Sequence, residues 1–478
     1  MKTNKSRNLF FALLLLLMVG MSGCLSATKY STTLADQNVE MHYGDIALSG
    51  EVRDRWWEAY GDAALNDFIE TVLVESPTLQ VAYLRLLDSE LSLKQTTAGY
   101  YPSLNFSAGV GYGGQVSENS SSDPSYSLGL SLSYEIDLWG KVRAQKLVSE
   151  LSMQSYQDSA ETAAISLVSN VVSTWFAIQY YRDRRVMTEQ LLEISESYYA
   201  LVQDYFRTGQ SDAMDVLEQR QQLETLRATL HEIDSNIRIN QNSLAILAGG
   251  KVRPTVEGSL PEAIDVGGTV DASKLVETRP DLRSALRSAQ KADAQVVIAL
   301  ANRLPSLKLS ASLAFRSASI TELFQKLIWD LAASFTANLF DGFQKTTEID
   351  KARVSFISER FSYMTSVMQA VSEVEEAILK LHLKEQLLED ARAQLDRQKE
   401  ILEVSRKLYV NGNLTYNRVL SALKSMISAS QSELEARRAL LLAQVDLFKA
   451  MGGSGWLKDT SEKGSQRARE LLDQLKQE

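Results

Sequence analysis

Few residues of this chain have the type and spacing that catalysis or metal binding requires. The three histidines, His42, His231 and His382, are far apart, and none stands in the spacing of metal ligands. The sequence contains no GxSxG, P-loop, CxxC or HExxH motif. We therefore expect no enzyme activity, no metal and no cofactor. We interpret each histidine as an ordinary residue of the surface or of a contact seam between helices.

The residue with the clearest chemical role is Cys24, the only cysteine. It follows a basic region, an apolar region at 9–19 and a small-residue exit at 20–23, which is typical of a secretory signal. Residues 21–24 (MSGC) resemble the lipobox of bacterial lipoproteins, although methionine stands where leucine is usual. A lone cysteine is otherwise a buried apolar residue, and the signal could be cleaved without lipidation. We predict lipidation of Cys24.

Two consequences follow from the residues around Cys24. The resemblance to lipoproteins implies outer-membrane sorting, because Leu25 stands where an aspartate would be the usual inner-membrane retention signal. With no second cysteine, the chain has no intrachain disulfide framework.

Composition excludes one class of partner. The net charge is −10 and the pI is about 5.2, and no basic patch interleaved with aromatic residues occurs, which argues against a nucleic-acid surface. Beyond the amino-terminal region we find no apolar run of the roughly 18 residues that a membrane helix needs.

Four stretches alternate apolar and polar residues with the period of a β-strand. Every even position from Tyr126 to Leu138 is aliphatic or aromatic, and residues 102–113 repeat the pattern. Both are long enough to cross a bilayer, and the loop between them is rich in Gly, Ser and Asn. They predict a transmembrane β-hairpin. Residues 306–316 and 329–340 predict a second one.

The rest of the chain has the period of long helices. From Gly140 an uninterrupted pattern reaches Arg207, and about 65 residues would make a helix about 100 Å long. Gly209 marks a turn, and a second helix returns, so residues 140–249 predict an antiparallel coiled coil. Residues 342–451 predict another.

Four sequence landmarks recur in the same order 203 residues later, which indicates an internal two-fold repeat. The pairs are Ser76-Pro77-Thr78-Leu79 with Arg279-Pro280-Asp281-Leu282, Tyr101-Pro102-Ser103-Leu104 with Leu304-Pro305-Ser306-Leu307, Phe206-Arg207-Thr208-Gly209 with Tyr409-Val410-Asn411-Gly412, and Leu247-Ala248-Gly249-Gly250 with Ala450-Met451-Gly452-Gly453. Gly140 and Gly342 are only 202 residues apart, which predicts the loss of one residue near the second hairpin.

These patterns divide the chain into six segments. They are a lipoprotein signal peptide (1–23), a lipidated and extended N-terminal arm that includes Trp56-Trp57 (24–62), a first structural repeat (63–250), an irregular equatorial connector (251–278), a second structural repeat (279–453) and a polar C-terminal tail without an apolar seam (454–478). The fold class is mainly α with a membrane β-barrel.

Four strands cannot close a barrel. A closed barrel needs about eight strands or more, and lipid cannot hydrogen-bond an open sheet edge. The sequence therefore predicts an oligomer whose copies share one barrel, with their long helices bundled around the same axis.

The chain resembles the outer membrane factors of tripartite efflux pumps, the TolC-like proteins, and within them the OprM/NodT lipoprotein branch. The resemblance rests on Cys24, the Pro-Ser-Leu start of both hairpins, Arg279-Pro280-Asp281-Leu282 and the paired turn glycines, over about residues 50–453. It implies a homotrimer with a 12-strand barrel in the outer-membrane lipid and a 12-helix periplasmic α-barrel. It also implies a periplasmic adaptor and an inner-membrane transporter, often of the proton-driven RND type.

The resemblance places a constriction near the helix turns. Candidate aperture residues follow the two turn glycines: Asp212, Asp215, Glu218, Tyr416, Asn417, Arg418 and Ser421. The family commonly carries an acid where this chain has Ser421. The acids could equally be an exposed helix start that favours negative charge. Our hypothesis is that Asp215 or Glu218, repeated three-fold, helps to form a cation-favouring constriction.

The turns themselves resemble the family's adaptor-contact tips. The candidates are Thr208, Gly209, Gln210, Ser211, Asn411, Gly412, Asn413 and Leu414. Each glycine could instead only supply the positive φ of a turn.

The favoured function is a passive exit duct for small molecules or drugs in an efflux pump. The outer-membrane part of a type I protein secretion system is an alternative within transport. A periplasmic coiled-coil scaffold without a pore is an alternative of another class, which the four amphipathic strands argue against.

Overall fold

The structure of this chain is a computed structural model. It describes residues 55–114, 122–250, 253–264, 272–411, 413–453 and 457–476. The predicted signal peptide, Cys24 and the turn glycine Gly412 lie outside the described residues.

The described residues form nine α-helices and four strands. The helices are α1 (Ala63–Glu75), α2 (Pro77–Thr97), α3 (Lys141–Arg207), α4 (Ala213–Leu247), α5 (Ala272–Thr278), α6 (Pro280–Arg303), α7 (Gln344–Val410), α8 (Tyr416–Met451) and α9 (Leu457–Leu475). The strands are β1 (Ser103–Gly114), β2 (Ser122–Ile136), β3 (Ser306–Ser317) and β4 (Leu327–Thr336). Short 3-10 helices cover Trp56–Tyr60, Ala98–Tyr100 and Ile320–Gln325.

The two-fold repeat is visible in where the helices begin. The start of each helix in the second repeat lies 203 residues after that of its counterpart in the first: α6 after α2, α7 after α3, and α8 after α4. The prediction of a lost residue is wrong at the start of α7. Ala144 N–H donates to the Gly140 carbonyl before α3 (2.8 Å), and Thr347 N–H donates to the Phe343 carbonyl before α7 (3.0 Å). Phe343, not Gly342, is therefore the counterpart of Gly140, and the repeats stay in register.

Phe343 is the one non-glycine residue with a left-handed φ in the part of the chain that the structure describes (φ 69°). Its counterpart Gly140 has a φ of 75°. For a residue with a side chain, this left-handed conformation costs roughly 1–2 kcal/mol.

The four strands form one antiparallel sheet in the order β1-β2-β3-β4. The register joins apolar residues to apolar residues across the sheet: Phe106 pairs with Leu130, Leu130 with Leu313, and Leu313 with Trp329. Directly opposed residues share a face. One face is therefore aliphatic and aromatic, and the other is lined mostly by serine, glycine and alanine, as the alternation predicted.

Pro102 and Pro305 explain where the strands end. Ser103 pairs with Ser133, and Ser306 pairs with Thr336. Proline has no N–H, so the ladders stop beside it. β4 was predicted to reach residue 340 but ends at Thr336, because no strand residue of β3 lies opposite the residues that follow.

By contacts, the chain divides into two compact units. The first holds the described residues within 88–155 and 285–364 and contains the sheet. The second holds the described residues within 55–87, 156–284 and 365–476. It contains a core of large side chains, among which Trp57, Leu65, Trp175, Phe176 and Leu441 are each less than 2% exposed.

The interpretation of Trp56 and Trp57 as part of an extended arm is wrong. Both are buried (5% and 0% exposed), and the Trp56 ring stacks on Phe448 with the centroids 4.8 Å apart. Tyr60 donates its hydroxyl to Gln444 at 3.0 Å. Burying three aromatic side chains favours a compact 3-10 turn over an extended segment.

Asp62 connects this turn to the helices around it. One carboxylate oxygen accepts the Leu65 N–H at 3.0 Å and caps α1. The other accepts the Trp175 indole N–H at 2.8 Å and the Gln179 amide at 3.0 Å. A single half-buried carboxylate thus fixes α1 against α3.

The connector and the tail contain structure that the sequence did not indicate. α5 lies in the segment predicted to be irregular, and α9 occupies most of the tail. α9 packs through small residues: a side chain on Gly464 would clash with the Tyr83 ring, and Ala468 is fully buried. α9 is amphipathic, so the expectation of a tail without an apolar seam is wrong; the seam is hard to recognise because Gly464 and Ala468 are small.

An 18-residue stretch of α3 is apolar enough to pass as a membrane helix, contrary to the expectation from the sequence. The structure buries 61% of it. α3 includes the buried Val168, Val171 and Val172 of the second unit's core. The stretch is therefore a core helix.

Candidate functional site

The first candidate tip joins α3 to α4 in a tight helix-ending turn. Gly209 has a φ of 75°. Its N–H donates to the Phe206 carbonyl at 3.1 Å, and Gln210 N–H donates to the Tyr205 carbonyl at 2.8 Å. This pair of bonds is a Schellman motif, which needs a left-handed residue at the glycine position.

The second tip repeats the turn between α7 and α8. Asn413 N–H donates to the Leu408 carbonyl at 2.9 Å, the counterpart of the bond between Gln210 and Tyr205. Leu414 packs on the cluster of Leu402, Val419 and Ala422. A residue just before a helix that contacts its first turns forms a hydrophobic staple, which fixes the entry of α8.

The structure exposes most adaptor-contact candidates. Those exposed are Thr208, Gly209, Gln210, Asn411 and Asn413, whereas Ser211 and Leu414 are half-buried. The Thr208 hydroxyl donates to the Asp204 carbonyl at 3.0 Å. Leu414 therefore supports its own turn, and the side chains best placed for a partner are those of Gln210, Asn411 and Asn413.

The acids after the first tip differ in their local roles. Asp212 caps α4 by accepting the Asp215 N–H at 3.0 Å. Asp215 accepts the Ser211 hydroxyl at 2.6 Å. All three acids are exposed. Asp215 and Glu218 are three residues apart on α4 and share a face, so they present two carboxylates on one side of the helix.

The aperture candidates after the second tip are only partly brought together. The Ser421 hydroxyl donates to the Asn417 carbonyl at 3.0 Å, and Arg418 is exposed. The side chain of Tyr416 lies outside the described residues. Within the described ranges, no hydrogen bond or ion pair joins the acids of the first tip to Asn417, Arg418 or Ser421.

Sequence reasoning missed Tyr198 of α3. Its hydroxyl donates to Asn417 Oδ1 of α8 at 2.6 Å, across 219 residues. Lys424 Nζ lies 6.0 Å from the Tyr198 ring centroid. The only sequence signal is a Tyr-Tyr pair three turns before Gly209. The bond ties the two coiled coils together beside the aperture candidates.

A second site surrounds the repeat motif at residues 279–282. Arg279 is 8% exposed and contacts three groups: Asp281 (2.7 Å), Glu373 (2.8 Å) and the Ala450 carbonyl (2.9 Å). Burial disfavours the cation, but bonding to both carboxylates outweighs it and raises the pKa of Arg279. Gly452 permits this packing, because a side chain there would meet Arg279 Cγ at 2.6 Å.

The cleft beside Arg279 has a volume of about 360 Å³ and is lined by both signs of charge, including Glu376, Lys380, Asp446 and Lys449. In the described part of the chain, no group of histidine, cysteine and acidic side chains has the arrangement of a metal site. We interpret the Arg279 cluster as a joint between α6, α7 and α8.

Comparisons with known proteins agree with this architecture. A sequence model of outer membrane efflux proteins matches residues 68–250 and 272–453. The chain is 25% identical over 461 residues to the probable outer membrane lipoprotein SilC of Salmonella typhimurium, covering 92% of this chain and 97% of SilC. It is 24% identical over 408 residues to the cation efflux system protein CusC of Escherichia coli K12, covering 83% and 88%.

The fold is similar to that of solved channels. The crystal structure of the CmeC outer membrane channel of Campylobacter jejuni superposes with a TM-score of 0.80 at 21% identity, covering 90% of this chain and 95% of CmeC. The sheet and the coiled coils thus give this chain the fold of solved outer-membrane channels, which are built from a β-barrel and an α-barrel.

Within that class, this chain belongs to the outer membrane efflux protein family. It is a channel component of outer-membrane efflux, which confirms the resemblance, the fold class, the favoured function and the outer-membrane location. The family is one of channel and transport proteins, and its members in tripartite pumps are trimeric and work with adaptors and inner-membrane transporters.

Proposed function

We propose that this chain forms a passive, homotrimeric exit duct for small molecules. The observation that carries the proposal is the four-stranded sheet, which has one continuous apolar face and whose outer strands, β1 and β4, each have one edge unpaired among the described residues. Three copies of four strands would give twelve, which is within the range of closed membrane barrels.

The helices offer a second surface for the other copies. α7 exposes large apolar side chains at helical spacing along its length. In the second unit they include Met368, Leu379, Leu383, Leu387, Ile401, Val404 and Leu408. Such a stripe on a helix is covered in a stable protein, and in this proposal neighbouring copies of the chain cover it.

The boundaries of the segments and the lipid anchor remain proposals. Cleavage before Cys24 and lipidation of its thiol would attach the mature chain to the outer membrane at residue 24. The relative SilC is named an outer membrane lipoprotein, which supports this anchor. Mass spectrometry of the mature amino terminus would detect the acyl chains.

The two tips are proposed as the surface for a periplasmic adaptor, and an RND-type transporter is proposed as the pump behind it. The exposed Gln210, Asn411 and Asn413 would make the contacts. Asp215 and Glu218 would form the cation-favouring constriction, with Asn417, Arg418 and Ser421 on the facing helix starts. The Tyr198–Asn417 bond supports a closed arrangement there, because it ties α3 to α8.

The transported substrate is proposed only as a class. The names of the relatives include cation efflux for CusC and pyoverdine export for OpmQ of Pseudomonas aeruginosa. Such different cargoes fit a duct that selects weakly, with the choice made by the transporter.

Reconstitution into planar bilayers tests the function. We expect purified oligomers to conduct ions without an energy source and to restore small-molecule export in cells that hold the adaptor and transporter but lack this chain. Absence of conductance would support a scaffold without a pore. Restored export of a secreted protein alone would support the type I secretion alternative.

A further inference from the structure

The polar face of the sheet carries an exposed cation, Arg316, at the end away from the long helices. The second hairpin joins its helices at the end where Ser306 pairs with Thr336. Arg316 lies at the other end, opposite Ser127 of β2. Because successive residues of a strand point to opposite faces, and Phe315 belongs to the apolar face, the Arg316 side chain projects from the polar face.

Lys326 adds a second cation beside the first. Phe315 pairs with Leu327, so the next position of the same register places Lys326 opposite Arg316. Lys326 has extended backbone angles (φ −127°, ψ 104°), which continue the alternation of β4, and its side chain is exposed. Directly opposed residues of a sheet lie close together, and two like charges in such positions destabilise it.

The charges at the helix end of the same face are arranged differently. There Glu135 lies opposite Lys308, and the Glu135 carboxylate also pairs with Lys141 Nζ at 3.3 Å. Opposite charges face each other, which stabilises a sheet. The like charges of Arg316 and Lys326 are therefore an exception on this face, and sheet stability does not explain them.

Among the described residues, no acid neutralises these two cations. Glu322 and Asp330 stand four residues before and four residues after Lys326. In the described part of the chain, no ion pair joins either acid to Arg316 or Lys326. An anion that binds from solution between the two side chains would remove the repulsion.

The surface beside Arg316 has room for such an anion. Its neighbour across the strands is Ser127, and the adjacent row toward the helices holds Gly129 opposite Ala314, all with small side chains or none. Ile328 lies opposite Ala314 on the other side and is 50% exposed. Two cations, a floor of small residues and one exposed aliphatic side chain suit a molecule with both an anionic and an apolar part.

We propose that Arg316 and Lys326 form a binding site for organic anions, molecules that carry carboxylate or phosphate groups on an apolar body, at the outer mouth of the duct. A guanidinium binds two oxygens of such a group at once, and an ammonium adds a compact charge. In the trimer, three copies of the pair surround one lumen. The site rests on the proposed function, which turns the polar face toward that lumen and the end away from the helices toward the exterior.

The test is thiol modification of Ser127→Cys in full-length protein in lipid nanodiscs, with Cys24→Ser so that the introduced thiol is unique. An anionic sulfonate and a cationic trimethylammonium reagent of the methanethiosulfonate class are compared, and the ratio of their rates reports the local potential. The double variant Arg316→Gln, Lys326→Gln removes both charges. Lys308→Gln, at the other end of the same face, is the matched control.

We expect the anionic reagent to be favoured at Ser127→Cys relative to its reaction with free cysteine. The double variant should lower this preference at least about fivefold, whereas Lys308→Gln should leave it unchanged. Benzenetricarboxylate, the probe anion, should slow the modification more than chloride does at the same ionic strength. This extra protection should disappear in the double variant.

A reagent preference that the double variant leaves unchanged would overturn the anion site, as would protection by benzenetricarboxylate no greater than that by chloride. In either case the thiol would still be open to water, and the proposed duct would stand. A Ser127→Cys thiol that neither reagent modifies in the folded oligomer would instead overturn the duct, and the site with it, because the polar face would not line a water-filled lumen.

Discussion

At the scale of residues, the acids near the first tip combine a structural and an electrostatic role. Asp212 is an N-cap, and replacing such a residue typically costs about 0.5–2 kcal/mol of stability. Asp215 accepts a hydrogen bond from the Ser211 hydroxyl, and Glu218 is exposed. Asp212 is therefore unsuitable for testing charge, whereas Asp215 and Glu218 are suitable.

Neutralising both acids in the double variant Asp215→Asn, Glu218→Gln should weaken cation selectivity. At about 0.1 M salt, where charges act over about 10 Å, we expect the cation-to-anion permeability ratio to fall at least about twofold and the single-channel conductance to change. The measurement is the reversal potential across a salt gradient in planar bilayers. Glu224→Gln, another exposed acid of α4, is the matched control. Unchanged selectivity and conductance in the double variant would contradict the constriction.

A second prediction concerns the buried guanidinium of Arg279. Arg279→Met leaves two carboxylates and the Ala450 carbonyl without their donor, and we expect the free energy of unfolding to fall by about 1–3 kcal/mol. The loss for Arg279→Lys should lie between zero and the loss for Arg279→Met, because an ammonium keeps the charge but lacks the planar fork of a guanidinium. Thermal unfolding followed by circular dichroism measures the loss. The exposed pair of Arg220 and Glu224 supplies a control, Arg220→Gln, with an expected loss of about 0–1 kcal/mol. Equal losses would contradict the role of Arg279.

The sequence identified these residues only in part. Arg279 was recognised from the repeated motif, but its partners Glu373 and Ala450 are 94 and 171 residues away. Tyr198 and Asn417 are separated by 219 residues. Neither contact has a local pattern, because each depends on how distant helices pack, so the partners had to come from the structure.

At the scale of elements, prediction succeeded where a periodic pattern extends over many residues and failed where small residues make the contact. Strict alternation predicted which residues of β1 to β4 share a face, and the repeat predicted where α8 starts, whereas the residue expected to be missing before α7 is present. α9 was missed because its seam is Gly464 and Ala468. Trp56 was misplaced because its partner Phe448 is remote in the sequence.

The hairpin tips allow conformation to be separated from contact. Gly209→Asn keeps a residue that tolerates positive φ, whereas Gly209→Val does not. If the tips bind an adaptor, we expect both changes, and the equivalent changes at Gly412, to abolish export while trimers still assemble. Export assays beside a trimer assay provide the measurement. Normal export by the asparagine variants would show that the glycines serve only the turn.

At the scale of the whole molecule, the chain is built to be completed by copies of itself. The sheet has four strands, and its outermost strands β1 and β4 have no partner within the described residues on one side. Each unpaired backbone group in lipid is costly by several kcal/mol. This argument was available from the sequence, since it needs only the number and length of the strands, whereas the number of copies came from the resemblance.

Electron cryo-microscopy of the purified protein in lipid nanodiscs tests this claim most directly, because it counts the strands in the membrane wall. We predict one twelve-stranded barrel in which β4 of each of three copies pairs with β1 of the next. A single chain that encloses a pore by itself, or particles whose sheets lie outside the lipid disc, would contradict the account.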